Sequence, residues 1–168
     1  MLFYLGGRHG LAPKSEPGRL WVHQLQLTVT DFVKEIHDTH HPIASSLYYE
    51  DQKTEAVRYT KHHLKERVPK YFGYFEDVLK KSGGPFLTGR TLTYADLSLF
   101  QLVAGMRYAF PGAMKALEKK TRRVANVHNR VAARPRVARY LNSERRIPFN
   151  ENGIFRFYQE LSDCPPQS

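Results

Sequence analysis

The sequence holds 168 residues, of which 41% are hydrophobic and 12% aromatic. That is enough for one domain with its own core, and it excludes a disordered chain. The formal charge of +10 and the pI near 9.8 admit RNA or another anionic partner, and describe equally well the solvated faces of basic helices. One cysteine, Cys164, excludes an internal disulfide, and no stretch has the length of a bilayer span. The expectation is therefore a soluble cytoplasmic protein with no membrane partner.

Met1 to Leu5 reads as the end of a helix stopped by Gly6-Gly7. Five apolar residues make barely one turn, which is not stable alone. Leu11 to Gly18, with Pro13 and Pro17, reads as a linker. From Arg19 to about His40 the period is helical, with Trp21, Leu25, Thr28 or Val29, Phe32 and Ile36 on one face. Pro42 ends it. A second long helix spans Asp51 to Ser82, with Pro69 expected to kink it and Ser82-Gly83-Gly84 to stop it.

Gly89 to Phe100 organises the rest. Thr93 and Asp96 have the spacing of a capping box, and Leu92 and Leu97 the spacing of its hydrophobic staple. The helix they open, Tyr94 to Ala109, is apolar around most of its circumference, which marks a buried central helix. A helical stretch then runs to about Ala133 and a short one from Arg136 to Asn142. The remainder to Tyr158 has no period, and Ile154, Phe155, Phe157 and Tyr158 are expected to pack it on the body. Much of the positive charge lies between Lys115 and Arg156. No strand is predicted, and the fold class is all-α.

Three motifs in order, Tyr4-Leu-Gly-x-x-x-Gly-Leu11, Gly89-x-x-Leu-Thr-Tyr-Ala-Asp-Leu-x-Leu-Phe100 and Arg134-Pro-Arg-Val-Ala-Arg-Tyr-Leu-Asn-Ser143, resemble the C-terminal helical domain of cytosolic glutathione S-transferases. The resemblance implies a bundle of about five to six helices. It divides the chain into a remnant of the last helix of a thioredoxin-like domain (1–11), a linker (12–18), the helical domain (19–143) and a C-terminal tail (144–168). It implies conjugation of glutathione to a hydrophobic electrophile by the complete protein, and a homodimer. The thioredoxin-like domain would supply the catalytic group, so no residue here is assigned as catalytic. Glutathione is expected as co-substrate only where that domain is present. A truncated product and a solitary helical module fit the sequence equally.

By the same resemblance Asp31 is a candidate for the carboxylate that meets the α-amino group of a partner subunit's glutathione. Glu35, Asp38 and His41, on roughly the same face, are candidates for the cleft of the electrophilic substrate. Thr93 and Asp96 are assigned to folding and not to chemistry. His37, His40 and His41 raise a metal site, since histidines four apart on a helix can share an ion. No catalytic carboxylate motif accompanies them, and no metal is expected. A second function class remains open. The same helical domain also occurs in translation factors and aminoacyl-tRNA synthetases, where it serves assembly, so a non-catalytic interaction module or weak RNA association is the alternative.

Overall fold

The computed structural model describes residues 1–162, so Cys164 lies outside the described residues. The described chain is a helical bundle with no β-sheet; Phe86 and Gly89 alone form an isolated bridge. At its centre stands α5, Tyr94–Ala109, with Ala95, Leu99, Leu102, Val103 and Met106 all buried. Around it lie α2 (Glu16–Asp38), α6 (Pro111–Leu117) and α7 (Arg122–Ala132), and α4 (Val68–Ser82) packs on α7. The outer elements are α1 (Leu2–Arg8), α3 (Lys53–His62), α8 (Pro135–Leu141) and a short α9 (Gln159–Ser162).

The first helix does not stop at the glycine pair. It continues to Arg8 because Gly6 is where it touches the body. A Cβ there would lie 2.4 Å from the Tyr94 ring, so only a glycine permits that approach. Leu11 then accepts a hydrogen bond from the Tyr94 N–H at 2.9 Å, which ties this segment to the entrance of α5.

Residues 16–18, expected in the linker, are instead the first turn of α2. Pro17 is tolerated there because the first helical N–H groups have no partner within the helix. The buried stripe of α2 is Val22, Leu25, Val29, Phe32 and Ile36, a strict alternation of three and four. Trp21, expected in that stripe, is displaced from it by Val22 and is 39% exposed.

The second long helix is three pieces joined end to end. A 3₁₀ turn, Tyr49–Gln52, leads into α3, and a π-helical turn, His63–Arg67, separates α3 from α4. The π turn replaces the expected proline kink. It ends at Arg67, so Pro69 falls in the first turn of α4, directly after the change of register. Likewise the stretch read as one helix to Ala133 is broken between α6 and α7, where Thr121 is buried and donates its hydroxyl to the Leu117 carbonyl.

After α8 the chain returns over the bundle. Phe155 is buried with its ring on Gly105 of α5, where a Cβ would lie 2.3 Å away. Tyr158 stacks on Tyr49 with ring centroids 3.8 Å apart, and the Tyr49 hydroxyl donates to Glu160.

Candidate functional site

Three of the four candidates, Asp31, Glu35 and Asp38, lie along one face of α2, and His41 follows just beyond its end. Asp31 is exposed. Glu35, Asp38 and His41 follow at intervals of four, three and three and are partly buried, Glu35 against the π turn and α4 and His41 against Gln52. Asp31 is thus the exposed end of the row and the other three its partly buried end.

Glu35 is the best held. Arg67 closes on it as a fork, Nε to Oε2 at 2.9 Å and Nη2 to Oε1 at 2.6 Å, and the Tyr71 hydroxyl donates to Oε1 at 2.8 Å. A planar guanidinium meeting a carboxylate at two points is the strongest geometry this pair can adopt. Arg67 accordingly holds the Glu35 carboxyl below the usual carboxylate range, against burial, with Tyr71 assisting. The π turn makes this possible, because its added residue carries Arg67 round to face α2 while His63 turns inward.

His63 is buried between Phe32 and Tyr59, with ring centroids at 5.6 and 6.0 Å. Both of its ring nitrogens lack a hydrogen-bond partner. Its Nδ1 lies 3.6 Å from Glu35 Oε2, but burial lowers its pKa to about 4, so at neutral pH this contact is not an ion pair. Burial also pushes the neighbouring Tyr59 hydroxyl up to about 12.

At the exit of α2 the three histidines cluster, His37 stacked on His41 and His40 edge-on to both, with centroids 4.8 to 5.2 Å apart. His40 is buried, and its Nε2–H donates to the Ile154 carbonyl at 2.9 Å, leaving Nδ1 without a partner. Burial lowers it to about 4. His41 is half-buried, with its Nδ1 3.2 Å from Gln52 Nε2 and the Leu47 carbonyl as a further hydrogen-bond partner of its ring. Burial, then Arg156 and His37, lower it from the usual imidazole range. Asp38 is paired with Lys34 at 2.5 Å. Among the described residues no three His, Cys, Asp or Glu side chains are placed to share a metal ion.

The capping box forms at Thr93 and Asp96. Asp96, fully buried, accepts from the Thr93 N–H at 2.8 Å, the Thr93 hydroxyl at 2.7 Å and the Leu87 N–H at 2.8 Å. Burial pushes its carboxyl up, against the downward pull of these donors. The site is therefore a positioning element for α5 and the turn before it, closed to any ligand.

Sequence reasoning missed Arg67, Tyr71 as a hydrogen-bond donor, and His63. The sequence signal for the first two was their spacing of four on one helix, but nothing in it pointed to Glu35 more than thirty residues earlier. Two cavities lie away from the stripe. One of about 490 Å³ runs between Trp21, Tyr74 and Thr88, and one of about 560 Å³ lies along Gly7, Pro13, Lys14 and Arg19.

Residues 37–144 match the family described as "Glutathione S-transferase, C-terminal domain", and the chain belongs to that family. A glutathione S-transferase of Plasmodium yoelii yoelii is 28% identical over 112 residues, covering 67% of this chain and 47% of that protein. Glutathione S-transferase alpha I of Oryctolagus cuniculus is 25% identical over 156 residues, 92% of this chain and 64% of that protein. The chain thus spans about half the length of the first curated relatives it matches. Among solved structures, NaGST-2 superposes with a TM-score of 0.62 at 20% identity, covering 89% of this chain and 67% of that one. A glutathione transferase of Burkholderia graminis, solved with two glutathione molecules per subunit, gives 0.54 at 23% identity, covering 86% and 58%. Both likenesses concern the fold. No described helix is long and apolar enough to cross a membrane.

Proposed function

We propose that this chain is the helical part of a glutathione transferase whose complete form joins glutathione to hydrophobic electrophiles. One observation carries the reading beyond family membership. The helix α1 docks by Gly6 on Tyr94, yet Met1, Leu2, Phe3, Tyr4 and Leu5 are all exposed. A continuous apolar face of that kind calls for a cover, and a thioredoxin-like domain carrying the glutathione site is the cover this reading supplies.

Within the proposal each α2 residue has a role. Asp31, exposed, offers its carboxylate to the α-amino group of glutathione on a partner subunit, a charge-assisted hydrogen bond. Asp38 and His41 stand at the helix exit on the side of the electrophile, where the His41 imidazole can take part in proton transfer. Glu35 contributes by fixing α2 to the π turn through Arg67 and to α4 through Tyr71. None of these groups activates the thiol. The thiolate is the nucleophile, and its formation needs a donor placed at the sulfur, which belongs to the thioredoxin-like domain. Without it one reactant has no site and the effective molarity is lost.

The test joins a glutathione-binding thioredoxin-like domain ahead of Met1 and follows conjugation of an aromatic electrophile. Residues 1–168 alone are expected to show only the uncatalysed rate and no saturable glutathione binding, and the fusion to exceed both parts. A fusion no more active than its added domain overturns the reading. Turnover by residues 1–168 alone, abolished by a single substitution, overturns it as well.

A further inference from the structure

Between Lys115 and Arg146 the chain carries eleven lysines and arginines against two acids, Glu118 and Glu144. This one stretch therefore holds nearly the whole net charge of +10. All eleven cations are exposed. Arg123 is paired with Glu76, and the other ten make no ion pair among the described residues.

The fold concentrates them further. Helix α7 buries Val124, Val127 and Val131 completely against the bundle, which leaves an outer face of Arg122, Asn126, Asn129 and Arg130. From Arg122 to Arg130 that row rises about 12 Å along a helix whose inner side is locked in the core. Helix α8 continues it with Arg134 at its cap, then Arg136 and Arg139, and has no buried residue at all. Tyr140, 47% exposed, stands beside Arg139.

We propose that the outer face of α7 and α8 binds a single-stranded nucleic acid through its phosphodiester backbone. Guanidinium groups predominate, and they meet phosphate oxygens at two points and stack on bases. Asn126 and Asn129 add neutral donors between them, and Tyr140 offers a ring on which an unpaired base can stack. A membrane surface fits less well, because the apolar side of α7 is spent on the core and no apolar face is left to insert. A protein partner would need an apolar centre to its interface, and this face has none. The proposal is independent of the transferase reading, since no residue of the α2 stripe takes part.

Fluorescence anisotropy of the 168-residue chain with labelled oligouridylate at low salt tests it. Saturable binding is expected, weakening steeply as salt is raised. Replacing Arg130, Arg134, Arg136 and Arg139 by Gln should lower the slope of log K against log salt by roughly 3 and weaken binding at least about 30-fold at low salt. The matched control replaces Lys61, Lys65, Lys70 and Lys80, exposed on α3, the π turn and α4, by Gln and changes the net charge equally. Far-UV circular dichroism confirms that both variants are folded. Absence of binding overturns the proposal, and so do equal losses in the two variants, since net charge alone would then be responsible. Tighter binding to a duplex than to the single strand overturns it too, as does retention by phosphatidylserine vesicles without binding to the oligonucleotide.

Discussion

The entrance of α5 and the exit of α2 both bury polar side chains, and they satisfy them in opposite ways. Asp96 receives its hydrogen bonds from Thr93 and Leu87, within ten residues of sequence. The polar groups of α2 depend on remote partners: Glu35 on Arg67 and Tyr71, His40 on Ile154. The local arrangement leaves the Asp96 oxygens satisfied. The remote one leaves nitrogens of His40 and His63 orphaned, and at the α5 entrance the Tyr94 hydroxyl, which the box does not reach, shares that state. Local closure gives a rigid cap, whereas closure at a distance gives a region whose stability depends on ionisation and on how several segments sit together.

Acid should separate the two regions most strongly. His40 and His63 are both lowered by burial to about 4 from an ordinary 6.5. As pH falls through that window the unfolded chain takes up protons that the folded chain refuses, so stability is full above 6.5 and is lost toward 4. Each group contributes a loss of about 3 kcal/mol by pH 4, together a large share of a typical domain's stability. His41 and His128, also lowered by burial, act with the same sign. The Glu35 carboxyl, held down by Arg67, loses its contribution at lower pH still, while the raised Asp96 acts with the opposite sign. Thermal melts from pH 7 to pH 4 should show this fall, and His63→Phe should flatten it by about half. A His63→Phe profile parallel to that of the parent would mean that the buried ring is not the source.

At the α5 entrance Asp96→Ala leaves two backbone N–H groups and a hydroxyl without their acceptor. The cost should be about 3 kcal/mol, or roughly 6–12 °C in Tm for a chain of this size. Thr93→Ala removes one arm of the box and should cost about 1–2 kcal/mol. Neither variant should remove the histidine-driven fall between pH 6.5 and 4, and Asp96→Ala should steepen it toward pH 4 because the opposing carboxyl is gone, which keeps the two regions distinguishable. Unchanged melting points in both variants would mean that α5 does not depend on its cap.

This contrast also explains what could be read from the sequence. The bounds of α5, its buried circumference and its capping box were legible because each rests on residues a few positions apart. Trp21 was misassigned for a related reason. Val22 and Trp21 both fit a helical period within the resolution of spacing alone, and only the packed neighbours decide which faces the core. The run of α1 through Gly6-Gly7 was illegible because its cause, the Tyr94 ring, lies almost ninety residues away. Of the α2 stripe, Glu35, Asp38 and His41 were recognised as neighbours, but Arg67 and His63 were not. Their placement requires the π turn, a feature of backbone register that no local motif in this sequence announced.

A smaller effect is expected where the returning tail meets the bundle. Gly105→Ala inserts a methyl group into the Phe155 ring, and overpacking of this kind costs about 1–3 kcal/mol. Part of it is offset by up to about 1 kcal/mol of helix preference for alanine over glycine. The net change in Tm should be slight, with the displacement confined to the tail. Hydrogen exchange should therefore rise at Phe155 to Phe157 and stay unchanged at Leu99 to Met106. Equal protection in parent and variant would show that the tail does not rest on Gly105.

The smallest change in stability, with the most specific consequence for function, is expected at Asp31. It lies one helical turn from Glu35 on α2, yet it is exposed and makes no hydrogen bond or ion pair among the described residues, whereas Glu35 is clamped by Arg67 and Tyr71. Replacing an exposed, unpaired helix residue alters stability by no more than about 0.5 kcal/mol, so Asp31→Ala should melt with the parent. Under the proposed function the same carboxylate meets the ammonium group of glutathione held by a partner subunit. A hydrogen bond to a charged group contributes about 1.5–3 kcal/mol, so its loss should weaken glutathione binding by roughly 10- to 150-fold in the complete, dimeric protein. Calorimetric titration of the complete protein reads that difference, and Asp31→Asn, which keeps an acceptor oxygen without the charge, should fall between. Glu35→Ala is the comparison that sharpens the result, because it should lower Tm first and affect binding only through the displaced helix. Equal glutathione affinity in Asp31→Ala and parent would remove Asp31 from the site and leave α2 with a purely architectural role.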